Sequence, residues 1–267
     1  MLIDGNKESK KILNVLKNKL RGKKPILAII WIGDDFICEK FVRVKAEAAK
    51  SIGVGFKLFK FCAKVQGKEV KDLIGKLNID PNIDGIMIQL PIPKELDRQE
   101  LISKISPVKD VDGLRFCAGL DWKFLPAVAL AILKALDLAK VNLRRSKIAV
   151  VGRGFLVGNS IEKLFALRGI RFKAIDSKTR NANAVISGAD VVITATGKSN
   201  LIKCSLLKEG VVLIDAGSAE EAGKVMGDSE PACYKKASFY TPVPGGIGPM
   251  TVAMLMRNLV QERKFRI

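Results

Sequence analysis

The feature of this sequence that most constrains its fold is a repeated alternation between short apolar runs and longer amphipathic segments. In the first half, the runs KPILAIIWIG, GFKLFKF and DGIMIQLPIP are typical of strands, and DDFICEKFVRVKAEAAKSIG and VKDLIGKLN between them are typical of helices. Strands that alternate with helices are joined by crossover connections, so they form a parallel sheet. The sequence therefore predicts an α/β fold.

The same alternation begins again in the second half of the chain. The segment SKIAVVGRGFLVGNSIEKLFALRG has the pattern strand, glycine-rich turn, helix, and the runs IRFKAIDSKT, GADVVITATG and GVVLIDAG add three more strands. This order is typical of a Rossmann-like unit. The apolar segment FLPAVALAILKALDLA lies between the halves and is typical of a long bridging helix, which places the boundary near residue 140.

Composition excludes several classes of protein. The chain has 267 residues, of which 48% are hydrophobic, enough for a buried core. No apolar run approaches the roughly 18 residues of a membrane span, and no apolar core precedes the early charges as in a signal peptide, so we expect a cytoplasmic protein without membrane contact. Five scattered cysteines without a C-x-x-C pair predict reduced thiols and no metal site.

The charge balance restricts partners and chemistry without settling either. The chain carries 46 basic and 27 acidic residues, a formal net charge of +19. This excess fits nucleic acid, an acidic surface or a small polyanion, but the lysines lack the interleaved aromatic residues of a single-strand binder, so we expect no nucleic-acid partner. The sequence contains no histidine. Acid–base catalysis would therefore depend on Lys, Asp, Glu, Tyr or Cys.

Three glycines, Gly152, Gly154 and Gly158, follow the first strand of the second half. Their spacing, G-x-G-x-x-x-G, is one residue longer than the usual dinucleotide fingerprint, but they lie between a strand and a helix as that fingerprint requires. Glycines there let a pyrophosphate approach the amides of a helix N-terminus. The alternative is a turn that serves only tight packing.

Neighbouring charges leave the identity of the dinucleotide open. Arg153 could pair with a ribose 2′-phosphate, because a guanidinium matches phosphate geometry. Asp176 ends the next strand, where a carboxylate would bind a 2′-hydroxyl and repel a phosphate, although Ser177 and Lys178 follow it directly. The spacing therefore allows NADP or NAD.

Three polar residues in the first half are candidates for catalysis. Lys45 falls on an apolar helical stripe with Ile37, Phe41, Val44, Ala48 and Ile52. Its side chain either extends to water or is partly buried, in which case its pKa falls and it becomes an acid–base catalyst. Gln89 ends an apolar strand, where ligand sites of parallel sheets gather, or else it satisfies a neighbouring backbone group. Asp112 precedes a glycine and could be only a turn residue.

Near the carboxyl end, TPVPGGIGPMT precedes an apolar helical segment. Its prolines fix the backbone and its glycines permit positive φ and close approach, so the segment predicts a shaped loop, or else a simple tight connection.

The motifs FVRVK, DGIMIQLPIP, KDVDG, VVGRGFLVG, GDSEP and TPVPGGIGPMT occur in the order found in the bifunctional methylenetetrahydrofolate dehydrogenase/methenyltetrahydrofolate cyclohydrolase family, which the chain resembles from end to end. The resemblance implies a folate-binding and catalytic domain at 1–120 completed by 241–267, a bridging helix at 121–140 and a Rossmann-like NADP-binding domain at 141–240. It implies a homodimer with folate in the cleft between the domains. A hydride would pass from methylenetetrahydrofolate to NADP, and the methenyl product would be hydrolysed to 10-formyltetrahydrofolate.

The resemblance also implies roles for individual residues. Lys45 falls on the catalytic lysine, Gln89 on the glutamine that positions it, and Asp112 on the carboxylate that holds the pterin. The other substrate-binding positions are Phe41, Ile88, Leu90, Pro244, Gly245, Gly246 and Gly248. The cofactor-binding positions are Gly152, Arg153, Gly154, Gly158, Asp176, Ser177 and Ser218.

The chain departs from the family pattern near both predicted sites. Phe41 stands where the family has a tyrosine, LRFCAG replaces a segment with histidine and asparagine, and FLPAV replaces a Cys-Thr-Pro segment. Gly154 replaces a serine, and Ser218 replaces an apolar residue. We expect a dehydrogenase with a weakened cyclohydrolase. The alternatives are a monofunctional or NAD-linked relative and a non-catalytic polyanion-binding protein.

Overall fold

A computed structural model describes residues 1–20, 24–221 and 223–262, without the side chains of Ile37 and Glu262. The chain divides into two compact units. We call them the three-stranded unit, formed by residues 9–127 and the described part of 252–267, and the five-stranded unit, formed by residues 1–8 and 128–251. No helix among the described residues is long and apolar enough to cross a membrane.

The three-stranded unit is built on a parallel sheet in the order β2-β1-β3. Its strands are β1 (Ile26–Ile32), β2 (Gly55–Phe61) and β3 (Gly85–Ile88). Its helices are α2 (Phe36–Ile52), α3 (Gly67–Ile79), α4 (Arg98–Lys104) and α5 (Leu114–Ala118), and helix α1 (Gly5–Lys19) enters it from the other unit. Strands β1 and β3 are almost fully buried, as their uninterrupted apolar runs predict for central strands of a parallel sheet.

The buried face of helix α2 is shifted by one position from the face that we predicted. Asp35 caps its first turn by accepting a hydrogen bond from the Cys38 amide at 2.8 Å. The buried face consists of Cys38, Val42, Lys45, Ala49 and Ile52. Phe41 and Val44, which we expected on this face, are exposed, and the side chain of Ile37 lies outside the described residues. The stripe was placed one position too early because apolar side chains occur on both sides of the true face.

The five-stranded unit is a parallel sheet in the order β10-β7-β6-β4-β5. Its strands are β4 (Ile148–Val151), β5 (Lys173–Ile175), β6 (Val191–Thr194), β7 (Val212–Asp215) and β10 (Phe239–Tyr240), and β8 (Ala219–Glu221) pairs with β9 (Lys224–Met226) in a separate hairpin. Its helices are α7 (Gly158–Leu167), α8 (Ala182–Ser187) and α9 (Cys233–Lys236). The predicted bridging helix is α6 (Ala127–Leu138).

The chain ends are distributed differently from the predicted domain bounds. The amide of Ile3 donates to the Tyr240 carbonyl at 2.8 Å, so the first residues and the loop after β10 belong to the five-stranded unit. Helix α10 (Ile247–Glu262) then returns to the three-stranded unit, as predicted. There the side-chain amide of Asn258 donates to the carbonyls of Val111 at 2.8 Å and Leu125 at 3.0 Å.

Candidate functional site

Lys45 and Gln89 form a buried pair in the three-stranded unit. The Lys45 Nζ donates to Gln89 Oε1 at 2.8 Å, and the two residues are only 8% and 5% exposed. Lys45 lies on the buried face of α2. Gln89 directly follows β3, and its backbone amide donates to the Ile30 carbonyl at 2.8 Å. A helix and a strand end therefore fix both side chains. Of the two alternatives for Lys45, partial burial rather than extension to water is the one observed.

Asp112 comes from a segment that runs beside β3. The amide of Ile86 donates to the Lys109 carbonyl at 2.7 Å, and the buried Asp112 follows three residues later. Gly113 has φ +73°, and a Cβ on it would lie 2.5 Å from the Pro126 nitrogen. Only glycine fits there, so the second half of the KDVDG motif serves to turn the chain immediately after the carboxylate.

We call Lys45, Gln89, Asp112 and their buried neighbours the catalytic cluster. Electrostatic interaction in this cluster couples Lys45 to Asp112. Burial lowers the pKa of Lys45, because the charged ammonium loses its hydration, and the negative charge of Asp112 opposes this effect. Burial likewise raises the pKa of Asp112, and Lys45 opposes that shift. The direct hydrogen-bond partner of Lys45 is a neutral amide, so no carboxylate in direct contact holds the proton on the lysine. This arrangement suits proton transfer.

Two further titratable residues of the cluster were not predicted. Cys38 lies on the same face of α2 as Lys45, and its Sγ donates to the Leu90 carbonyl at 3.5 Å. Burial, with a smaller contribution from Asp35, raises the pKa of the Cys38 thiol to about 11, so it is neutral. Its spacing of seven residues from Lys45 was the available signal, because seven residues are two helical turns.

Asp110 is the second unpredicted residue. Its carboxylate accepts from the amides of Leu114 at 3.1 Å and Arg115 at 2.7 Å, and burial raises its pKa to about 7. The Arg115 guanidinium donates to the carbonyls of Ser103 at 2.7 Å and Ile105 at 2.8 Å and also pairs with Asp121. These bonds anchor the chain on either side of Asp112. The arginine of LRFCAG, a departure from the family pattern, therefore has a structural role.

The remaining predicted substrate residues of this unit differ in accessibility. Phe41 is 37% exposed, and its ring centroid lies 5.8 Å from the Lys45 Nζ. The side chain of Ile88 is fully buried in the core. The Leu90 carbonyl accepts from the Gln89 side-chain amide at 2.7 Å, which orients the amide oxygen of Gln89 toward Lys45.

In the five-stranded unit, the glycine turn after β4 is shaped by close backbone approach. Gly152 has φ +96°, and a Cβ on Gly158 would lie 1.9 Å from the Gly152 carbonyl oxygen. A Cβ on Gly154 would meet only one atom within 4 Å, the Ala195 carbonyl oxygen at 3.9 Å. The first and third glycines thus close the turn, and the second leaves open space beside it. This geometry fits a dinucleotide at the start of α7.

Arg153 is held by two carboxylates. Its Nε donates to both oxygens of Glu162, at 3.0 and 3.1 Å, and its Nη2 donates to Oε2 at 2.9 Å. Its Nη1 lies 3.9 Å from Asp176 Oδ2. Asp176 therefore faces the arginine, and the Lys178 amide and the Thr179 hydroxyl bind its other oxygen. The last two predicted cofactor residues, Ser177 and Ser218, are exposed.

Two buried aspartates fasten the loops that follow β6 and β7, and sequence reasoning missed both. Asp228 accepts from the Thr194 hydroxyl at 2.6 Å and from the Lys198 amide at 3.1 Å. Asp215 accepts from the Ser229 amide at 2.8 Å, and burial raises its pKa to about 6. These bonds hold the carboxyl-end loops of the sheet, where dinucleotides bind in this fold.

The TPVPGGIGPMT segment is a shaped loop, as predicted, only as far as Gly246, because helix α10 already begins at Ile247. Gly245 has φ +102°, and a Cβ on Gly246 would lie 2.4 Å from the Pro242 carbonyl oxygen. Helix α1 also approaches closely, since a Cβ on Gly5 would lie 1.8 Å from the Gly246 oxygen. Pro244 and Gly248 are exposed. All four predicted residues of the loop lie in the five-stranded unit.

A parallel sheet with a glycine turn at a helix start, accompanied by a unit with a buried lysine, defines a two-domain α/β enzyme of the dinucleotide-dependent class. None of the five cysteines forms a disulfide bond, and no group of described His, Cys, Asp or Glu side chains could hold a metal ion. The chain belongs to the tetrahydrofolate dehydrogenase/cyclohydrolase family. Residues 3–112 match the model of its catalytic domain, and residues 126–267 match that of its NAD(P)-binding domain. The family and fold predicted from the motifs are therefore confirmed.

Individual relatives agree over nearly the whole chain. The bifunctional protein FolD of Halothermothrix orenii is 35% identical and covers 99% of this chain and 98% of its own; that of Bacillus subtilis is 38% identical and covers 92% and 89%. The crystal structure of FolD from Campylobacter jejuni has a TM-score of 0.92 at 32% identity, covering 100% and 99%. FolD from Trypanosoma brucei, complexed with NADP and an inhibitor, has the same TM-score and coverage at 27% identity.

Proposed function

We propose that this chain oxidises 5,10-methylenetetrahydrofolate to the 5,10-methenyl compound with NADP and hydrolyses that product to 10-formyltetrahydrofolate. The observation that carries the proposal is the buried Lys45–Gln89 pair coupled to Asp112, in a chain of the tetrahydrofolate dehydrogenase/cyclohydrolase family. A lysine with a lowered pKa supplies the acid–base group that a chain without histidine needs.

In the hydrolysis, Lys45 is the residue that manages protons. Its neutral amine accepts a proton from the water that attacks the methenyl carbon, and the resulting ammonium returns that proton to the departing folate nitrogen. The carbinol hydroxyl loses its own proton to solvent as the carbon–nitrogen bond breaks and the formyl carbonyl forms. Gln89 orients the amine through its 2.8 Å hydrogen bond. Asp112, a buried carboxylate, accepts hydrogen bonds from the pterin and fixes the folate relative to Lys45. The exposed face of Phe41 stacks on the folate ring system.

In the oxidation, this chain binds and orients the two reactants. Bound NADP supplies the hydride acceptor. The open space beside Gly154 and the close turn of Gly152 and Gly158 admit its pyrophosphate. Arg153 and Ser177 are the residues that bind its 2′-phosphate, since a guanidinium and a hydroxyl both donate hydrogen bonds to phosphate oxygens. Ser218 borders the cofactor, and the loop from Pro244 to Gly248 contributes to folate binding.

The chain acts as a homodimer in the cytoplasm. Strand β2 is an edge strand of its sheet, and its Leu58 side chain is 42% exposed, which suits pairing with a second copy. Five cysteines without a disulfide bond suit a reducing compartment. Sedimentation of the purified chain tests the first point, and fractionation of the source cells tests the second.

A spectrophotometric assay tests the proposed activity. Cofactor reduction with methylenetetrahydrofolate and the decay of added methenyltetrahydrofolate are followed separately, with NADP and with NAD. We expect both reactions, and a faster oxidation with NADP. Absence of both, with tight salt-resistant binding of RNA instead, would favour the non-catalytic polyanion-binding alternative. Oxidation without hydrolysis would restrict the proposal to the dehydrogenase.

A further inference from the structure

The Arg153–Glu162 ion pair lies where the two nicotinamide cofactors differ. Arg153 occupies the second position of the glycine turn, and Glu162 lies one turn into α7. Three contacts of 2.9 to 3.1 Å join the Nε and Nη2 of the guanidinium to the carboxylate. One hydrogen-bonding edge of the arginine is therefore occupied by this protein's own carboxylate. The pairing raises the pKa of Arg153, so the guanidinium stays charged.

The second side of the guanidinium also faces an acid. Asp176 Oδ2 lies 3.9 Å from the Arg153 Nη1, and the other oxygen of Asp176 is fixed by bonds from Lys178 and Thr179 at 2.9 Å. Lys178 adds a positive charge beside Asp176, so the charges of these four side chains balance and Arg153 has no charge in excess for a further anion. A ribose 2′-phosphate, which carries up to about two negative charges at neutral pH, must compete with Glu162 for the guanidinium, whereas a 2′-hydroxyl need not.

The difference in burial between Arg153 and Glu162 determines which of the two side chains can move when a phosphate binds. The side chain of Arg153 is 55% exposed, but that of Glu162 is only 11% exposed. Glu162 cannot turn out to water, and a carboxylate that loses its partner in a buried position is strongly destabilised. A 2′-phosphate must therefore share Arg153 with Glu162 rather than take it over.

We propose that Glu162 is a specificity-determining residue: by holding Arg153, it weakens the contribution of the 2′-phosphate and reduces the preference for NADP over NAD. This inference rests on the proposed function, because it concerns the cofactor of that reaction. It assigns to Glu162 a role opposite to that of Arg153, although the two side chains are in direct contact.

Direct binding of cofactor fragments to the full chain tests the inference without catalysis. Titration calorimetry measures adenosine 2′,5′-bisphosphate, which carries the 2′-phosphate, and adenosine 5′-monophosphate, which lacks it. Glu162→Gln should tighten binding of the bisphosphate by about tenfold and leave the monophosphate within about twofold. The ratio of kcat/KM for NADP to that for NAD should rise in the same direction. Glu162→Ala gives a second variant if the glutamine protein does not fold.

Two controls define the interpretation. Glu100→Gln removes the same charge from the ion pair with Lys71 in the other unit and should change neither affinity. In the Arg153→Ala background, Glu162→Gln should favour the bisphosphate much less, because no arginine is freed and only the repulsion by the Glu162 carboxylate is removed. Unchanged or weaker bisphosphate binding in Glu162→Gln, or an undiminished gain without Arg153, overturns the inference alone. A wild-type protein that binds neither the fragments nor NADP and NAD overturns the proposed function together with it.

Discussion

The Lys45–Gln89 pair of the three-stranded unit and the Arg153–Glu162 pair of the five-stranded unit have similar lengths but different partners. The first joins a lysine to a neutral amide at 2.8 Å, and the second joins an arginine to a carboxylate at 2.9 Å. Lys45 is 8% exposed, whereas the Arg153 side chain is 55% exposed.

These differences determine which chemistry each pair can perform. Burial without a bound anion lowers the pKa of Lys45, so its charge can change during a reaction. The carboxylate of Glu162 raises the pKa of Arg153, so that charge is permanent. The first pair therefore suits proton transfer, and the second suits recognition of a charged group. Changes to the first should affect rates strongly, and changes to the second should affect cofactor preference moderately.

The largest effect is expected when the buried cation is removed. Lys45→Met keeps much of the side-chain volume but removes the group that transfers protons, so hydrolysis should fall by about 10²- to 10⁴-fold. Folate should still bind, because Asp112 and Phe41 remain. Methenyltetrahydrofolate decay measures the first effect, and folate titration by fluorescence measures the second. If Lys45→Met hydrolyses as fast as wild type, the lysine has no part in catalysis.

A second change gives Lys45 a carboxylate partner, like the carboxylate that Arg153 has in the glycine turn. Gln89→Glu places a carboxylate beside Lys45, which should raise the lysine pKa and suppress hydrolysis at neutral pH by about tenfold or more. Because the neutral amine is the active form, hydrolysis rises with pH through the pKa of Lys45. The rising limb of the pH–rate profile should therefore move to higher pH in this variant.

Gln89→Leu is the matched control for that experiment. It removes the hydrogen bond without adding a charge, so hydrolysis should fall but the limb should not move to higher pH. A profile that moves equally in both variants would mean that the charge of the partner does not control the proton of Lys45, and the contrast between the two pairs would fail.

The sequence and the family resemblance predicted both members of the first pair, but only Arg153 of the second pair. Alternating apolar segments define the order of strands and helices locally, and Lys45, Gln89 and Asp112 stand out as polar residues next to them. Hydrogen-bond partners distant in sequence leave no such local pattern. Glu162 reads as an ordinary helix residue until α7 is positioned against the glycine turn.

The buried face of α2 also could not be predicted from the local sequence alone. Its apolar residues fit two overlapping stripes, and only packing selected the face that includes Cys38 over the face that includes Phe41. Asp215 and Asp228 were missed because a buried carboxylate is recognised by the backbone amides that converge on it, and theirs come from distant loops. The amides that bind Asp110 are only four and five residues away, but nothing in the sequence marks that turn as buried.

At the exposed pair, a smaller effect is expected on cofactor choice. Arg153→Ala removes the cation and leaves Glu162 and Asp176 to repel a 2′-phosphate, so the ratio of kcat/KM for NADP to that for NAD should fall by about tenfold. Hydrolysis should be unaffected. Arg168→Ala, an exposed arginine at the end of the same helix, is the control and should leave the ratio unchanged. A preference for NAD in wild type that persists unchanged in Arg153→Ala would contradict the assignment.

The smallest effect is expected at Phe41, which lies at the solvent edge of the buried pair. Its ring centroid is 5.8 Å from the Lys45 Nζ, and the ring offers the ammonium a face but no hydrogen bond. Phe41→Tyr adds a hydroxyl beside the lysine, and one additional hydrogen bond should raise hydrolysis by about 2- to 10-fold. Hydride transfer should change less, since it depends on placing two bound molecules and ring stacking is retained. Both rates are measured on the same preparation, so that loss of active protein lowers them together. An equal increase in both would mean that residue 41 acts through folate binding rather than through the proton of Lys45.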